Sequence, residues 1–209
     1  MKIETTPPRA YVMRERARAA ERTGERILAA VTQLFVEMPL SQLTLAAVAQ
    51  RAGVTVQTVI RRFGDRDGLL AAAAEQASGE IAAQRGEAPV GDVPAIVANL
   101  VEHYEMVGDL SLRLLAEEEG SPVIAEITTA ARGYHRAWCQ RVFGPSLDGL
   151  TGVERDRRLA QLVAVCDVYL WKLLRRDAGL SRRQVTVALT ELLEPLTSTT
   201  APGGSRGPR

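Results

Sequence analysis

Gln57, Arg61 and Arg62 lie within the short stretch AGVTVQTVIRRFGDRDGLL, residues 52–70, just after a glycine turn. If this stretch is helical, Gln57 and Arg61 are four residues apart and share one face. Val59 and Phe63, also four apart, share another. An amide side chain can make two hydrogen bonds to adenine, and a guanidinium can make two to guanine. Arg62 and Arg66 suit phosphate oxygens, which fix register without reading sequence. The chemistry on offer is recognition of a polyanion, not bond making.

Two helices must hold that set in place. Thr44 is positioned to cap a helix with Leu45, Val48 and Ala49 facing inward, and Gly53 ends it where a positive φ is needed. Thr55 can cap the next helix after only Gly-Val-Thr. Helix, tight glycine turn, helix is the helix-turn-helix arrangement, whose second helix enters a major groove. Before it, Ile27, Leu28, Val31, Leu34 and Phe35 follow the spacing of one apolar helical face, which Pro39 stops.

The remaining chain reads as helical throughout, with no strand alternation and no internal repeat. Helices are expected at about 93–108, 110–119, 122–143, 153–177 and 181–195, after a long Ala-rich helix at 69–84. Ser121 with Pro122, and Ser181, mark helix starts. Residues 1–22 form a basic, partly disordered arm, 23–68 a helix-turn-helix domain and 69–196 a larger helical domain. Residues 197–209, rich in Ser, Thr, Pro and Gly, form a disordered tail. RERARAAER in the arm fits either a minor-groove or phosphate contact or a solvated helix.

The 209 residues are 46% hydrophobic and 24% charged, a globular composition. No apolar run approaches the ~20 residues of a membrane span, and no export signal is read at the N-terminus. A cytoplasmic chain with Cys139 and Cys166 reduced is expected. The net charge of +1 hides an asymmetry. Residues 1–67 carry 11 Lys and Arg against 7 Asp and Glu, and the remainder 15 against 18. A basic N-terminal third suits a polyanion contact at one end.

TLAAVAQRAGVTVQTVIRRFGDRDGLLAAAAE, residues 44–75, resembles the DNA-binding signature of the TetR family of one-component regulators, and the preceding GERILAAVTQLFVEM fits as its first helix. The resemblance implies an all-α homodimer. Its three N-terminal helices would bind double-stranded operator DNA, and its larger helical domain would dimerise and bind a small-molecule effector of unknown identity. It places Thr44, Thr55, Val56, Gln57, Thr58, Ile60, Arg61, Arg62 and Arg66 at the DNA. Ile60 stands where the family commonly carries Tyr, so the Tyr role is not carried over, although an isoleucine can touch a thymine methyl. The last two helices would pair with their copies, with Leu162, Val165, Val168, Leu189, Leu192 and Leu193 supplying apolar surface to the partner or to the chain's own core. A pseudo-palindromic operator, and release from it on effector binding, complete what the resemblance implies.

His103, Met106, Tyr134, Trp138 and Tyr169 could line an effector pocket, or be ordinary core and surface of a helical bundle. His135 and Cys139, at i and i+4, lack a second ligand pair, so no metal site is expected. Glu117–Glu119 read as a solvated helix end and not as an acid/base pair. No nucleophile elbow, P-loop or dinucleotide fingerprint is present, and neither an enzyme nor a cofactor is expected.

Overall fold

Ile27, Val31, Leu34 and Phe35 are buried along one side of α1 (Arg9–Glu37), as their spacing predicts, while Leu28 is half-buried and Ala30 joins the buried side. A computed structural model of the chain describes residues 9–198, and every described regular element is helical. Of the disordered tail expected at 197–209, Thr197 instead closes a helix (Arg182–Thr197); residues 199–209, and 1–8 of the arm expected at 1–22, lie outside the described residues. The expected boundary at residue 22 has no counterpart, because α1 runs unbroken from Arg9. From Met13 to Arg22 it is largely an exposed helical surface, carrying an Arg18–Glu15 pair at 3.1 Å.

The chain divides into two units, the first ending at Ser78 and the second beginning at Gly79, ten residues later than expected. In the first unit, a short 3-10 turn (Leu40–Gln42) leads to α2 (Leu45–Ala52) and α3 (Val56–Phe63). Leu43, Val48, Ala49, Val59, Leu69 and Leu70 join the α1 residues in burial. Arg51 on α2 grips Glu37 of α1 with both nitrogens, at 2.9 and 2.6 Å. Helix α4 (Arg66–Gly86) carries residues of both units.

The second unit is a helical bundle. Helix α5 (Val93–Glu117) packs against α6 (Pro122–Val142), α9 (Val168–Lys172) and α10 (Arg182–Thr197), while α8 (Gly152–Val165) lies against α6 and α10. The short α7 (Gly144–Leu147) links α6 to α8. Two expectations are corrected here. The helices expected at 93–108 and 110–119 are one helix. Gly108 does not break it but makes room: a Cβ there would lie 2.5 Å from Cζ3 of the buried Trp171. The helix expected at 153–177 is instead α8, α9 and a π-helical turn (Leu173–Asp177). The break falls at Cys166, and Asp167 caps the restart by accepting from the Tyr169 amide at 2.9 Å.

Ion pairs fasten α5 to the segment after the break. Arg175 holds Glu105 at 2.8 and 3.2 Å, and Arg176 holds Asp109 at 3.0 and 2.9 Å. Ser181 and Gln184 form a capping box at the start of α10. Pro195 sits inside its last turn. There the Leu196 carbonyl accepts from Arg158 of α8 at 2.5 Å, and the Thr197 carbonyl from Ser146 of α7 at 3.5 Å.

Candidate nucleic-acid interface

Helix α3 is short but well defined at both ends. The Thr55 hydroxyl accepts from the Thr58 amide at 3.2 Å and lies 2.9 Å from the Thr58 hydroxyl. Thr44 caps α2 in the same way through the Ala47 amide at 3.1 Å. Between the helices, Gly53 takes a φ of +65°, and the Val54 amide reaches back to the Ala49 carbonyl at 2.9 Å. The hydroxyls of Thr44, Thr55 and Thr58 thus serve the helix starts.

Val59, 0% exposed, anchors α3 to the core. That choice of inward face decides the outward one. Gln57 and Arg61 are exposed, and neither has a partner among the described residues. Val56 and Ile60, 38% and 40% exposed, flank them and give the face an apolar component. The amide, the guanidinium and the isoleucine methyls are therefore presented together on one capped and anchored helix.

The other two arginines are placed differently. Arg62 turns back onto α1, and its Nη1 donates to the Ala20 carbonyl at 2.9 Å. Arg66 is partly buried. Its Nε donates to the Leu43 carbonyl at 2.9 Å, and its Nη2 to the Leu40 carbonyl. Both are expected at phosphate; in this geometry backbone carbonyls of the same unit take up Arg62 Nη1 and Arg66 Nε and Nη2, while the Arg62 side chain is otherwise exposed. Arg66 fastens the 3-10 turn and the start of α2, and Arg62 fastens α3 to α1.

In the second unit, the five residues expected to share a pocket do not converge. His103 and Trp138 are buried, whereas Tyr134 is exposed, and Met106 and Tyr169 are 59% and 55% exposed. Tyr169 instead lines an open groove of about 380 Å³ with Leu112, Ala116, Lys172 and Leu173. The expected partner surface also changes. Leu162, Leu189 and Leu193 are fully interior and Val168 nearly so, because the second unit has its own core to fill. Val165 is half-buried, and Leu192 is exposed.

Arg85, at the end of α4, is a buried group that the sequence reading missed. An arginine in an Ala-rich helix reads as solvated, and its only local hint is a position four residues after Ile81. Its guanidinium stacks 3.6 Å from the Trp138 ring centre, and its Nη2 lies 3.2 Å from His135 Nδ1. Burial pulls its pKa down from the usual arginine value. Burial also pushes His103 down to about 3, helped by the charges of Arg85 and His135. Cys139 lies 3.8 Å from His135 Nε2, and its thiol is held below the ordinary range chiefly by a hydrogen bond from Cys166, whose own pKa is correspondingly raised. Among the described residues, no three His, Cys, Asp or Glu side chains cluster as metal ligands would. Glu118 is not merely solvated. It accepts from the Thr128 hydroxyl at 2.6 Å and from Arg132 at 2.8 Å, both on α6, and these bonds lower its pKa.

Residues 27–73 match the model of the bacterial regulatory proteins, tetR family. Over 72 residues the chain is 38% identical to the HTH-type transcriptional regulator BetI of Stenotrophomonas maltophilia (strain R551-3). That match covers 34% of this chain and 37% of BetI, so it spans little more than a third of the relative's length. Among solved structures, a transcriptional regulator from Rhodococcus sp. Rha1 superposes with a TM-score of 0.64 at 22% identity, covering 83% of this chain and 95% of that one. A putative transcriptional regulator from Pseudomonas aeruginosa PAO1 gives 0.67 at 15% identity, with coverages of 85% and 91%. The fatty acid degradation regulator FadR from Bacillus halodurans gives 0.54 at 18% identity, with coverages of 88% and 96%. These structural likenesses extend the shared helical fold over the second unit.

Proposed function

The chain belongs to the tetR family of bacterial regulatory proteins, and on that premise we propose that it is a cytoplasmic, homodimeric, non-enzymatic repressor that binds double-stranded operator DNA through α3. The observation that carries this reading is the outward pair Gln57 and Arg61, four residues apart and unpartnered on a helix fixed by the Thr55 cap and by Val59. Gln57 and Arg61 read bases, while Val56 and Ile60 meet thymine methyls or sugars. Thr44, Thr55 and Thr58 place helix starts and their hydroxyls at the backbone.

Two copies present their α3 helices about 34 Å apart, one DNA turn, on a pseudo-palindromic site. Of the residues first considered for the partner surface, Leu192 remains. Val187 on α10, together with Ala160 and Ala164 on α8, are further exposed apolar positions for the contact. A small molecule held in the second unit then favours a state whose helix spacing misfits the groove. Each tenfold loosening requires about 1.4 kcal/mol of coupling. No described helix is long and apolar enough to cross a membrane.

Dispersal of the five expected pocket residues favours one second reading, in which the second unit only dimerises and no effector acts. Selection of bound duplexes from a random pool, followed by a salt titration on the winner, tests the main reading. A two-fold symmetric consensus and a steep salt slope are expected. A monomer that enriches no sequence would end it.

A further inference from the structure

Five buried side-chain polar atoms among the described residues lack a hydrogen-bond partner: Gln84 Oε1, Arg85 Nε, Arg85 Nη1, Asn99 Oδ1 and His103 Nδ1. All five belong to the second unit. They sit on two adjacent residues at the end of α4 and on two residues one turn apart on α5. Buried polar groups are nearly always partnered, so orphans gathered in one place need a cause. Gln84 and Asn99 already exchange two hydrogen bonds with each other's backbone carbonyls, at 3.1 and 2.7 Å, so their orphaned oxygens are spare acceptors. The donors of Arg85 are a different matter.

Arg85 is 1% exposed and stays protonated. A buried cation with no anion is among the costliest arrangements in a protein interior. No ion pair among the described residues includes it. The titratable groups acting most strongly on it are Tyr104, Cys139, Cys166 and Tyr134, none of them a carboxylate. Cys139, whose thiol pKa is lowered, acts on it favourably, but neither sulfur bonds Nε or Nη1. His135 takes up Nη2 alone. What remains is a buried guanidinium with two nitrogens unbonded, stacked on Trp138 and near enough to act electrostatically on His103 and Tyr104, whose rings lie 5.0 Å apart.

We propose that Arg85, with His103, is an anion-binding centre inside the second unit, and that its ligand is a small organic monocarboxylate. The open nitrogens of a buried guanidinium suit the oxygens of a carboxylate. The Trp138 and Tyr104 rings favour an apolar body behind the carboxylate over an inorganic ion. Naming this ligand the effector rests on the regulator reading above; the binding itself does not.

The test compares thermal midpoints of the full chain with three acid and amide pairs of matched shape: acetate and acetamide, benzoate and benzamide, hexanoate and hexanamide. At least one acid is expected to raise the midpoint in a dose-dependent way that its amide does not. Arg85→Met should abolish that difference, and Arg85→Lys should keep it at lower affinity. Without additive, Arg85→Met should melt at or above the wild type, because it removes an unpaired buried charge. Three results each overturn the proposal: acids and amides acting alike on the wild type, an acid effect that survives in Arg85→Met, or an Arg85→Met protein that is unfolded or melts well below the wild type. DNA affinity measured on the same samples separates the two readings. Specific DNA binding with no preference for acids ends the anion site and leaves the regulator. An acid that stabilises the protein without altering DNA affinity upholds the site and removes its role as effector.

Discussion

The guanidinium of Arg62 lies against Gly24, so close that a Cβ on Gly24 would fall 2.3 Å from Nη2 and 2.4 Å from Cζ. The absent side chain is what lets Arg62 reach the Ala20 carbonyl.

Gly24→Ala should therefore evict the flexible end of Arg62 and leave the backbone in place. The lost hydrogen bond, worth about 1 kcal/mol, is offset by a similar gain from Ala over Gly inside α1, so the urea melt should stay within about 0.5 kcal/mol of wild type. The freed guanidinium becomes available to phosphate, so the salt slope of DNA binding should steepen by about 0.9 for each protomer, about 1.8 for the dimer. An unchanged slope with Arg62 displaced would show that it has no phosphate within reach. Arg62→Ala, with no such offset, should lose about 1 kcal/mol and leave the slope nearly as in the wild type.

Gln57→Ala and Arg61→Ala should leave the melting curve within about 0.5 kcal/mol of wild type, since both side chains are exposed and unpartnered. Each should cost about 1–3 kcal/mol of discrimination at one base position, read by competition between the selected duplex and single-base variants. Equal weakening on every sequence would reassign the residue to the phosphate backbone.

Gly108→Ala should destabilise the second unit by about 1–3 kcal/mol. The new methyl meets Trp171 at 2.5 Å, and that ring cannot swing aside. Its Nε1 donates to Glu105 at 3.3 Å, and Arg176 stacks on it at 4.6 Å. Thermal melts of the variant, and of Gly108→Ala with Trp171→Leu to relieve the contact, distinguish crowding from loss of helix flexibility.

Acid should weaken the second unit through His103. Its ordinary value is 6.5 and its folded value about 3, so between those limits the unfolded chain binds a proton that the folded chain refuses. Stability is then fully present above pH 6.5 and falls as the pH drops toward 3, by at most about 1.4 kcal/mol per pH unit. His103→Gln should flatten this slope, and the difference between the two proteins' urea midpoints across pH 6.5–5 measures it. Coincident pH profiles would contradict the assignment.

The first unit was legible in the sequence where its signals are local. Thr44, Gly53 and Thr55 each act within three or four residues of themselves, through caps and one positive φ, and Val59 follows from helical spacing. The roles of Arg62 and Arg66 were not legible, because their carbonyl acceptors lie 42 and 23–26 residues away in the chain. The same holds in the second unit. Gly108 looks like a helix breaker until Trp171, 63 residues later, occupies the space it leaves. Leu162, Leu189 and Leu193 carry no mark in their spacing that says whether their own core or a partner buries them. Arg85 is invisible for a related reason, since a helical arginine is ordinarily solvated and only tertiary packing buries this one.

Pro195 has no amide hydrogen to give, so the final turn of α10 lacks one internal rung. Arg158 and Ser146 reach in from two other helices to hold the carbonyls just beyond it. The end of the last described helix is thus a clasp fastened from outside. Cutting the polypeptide after Glu194 would not simply shorten one rod; it would leave Arg158 and Ser146 with nothing to hold and loosen three helices at once.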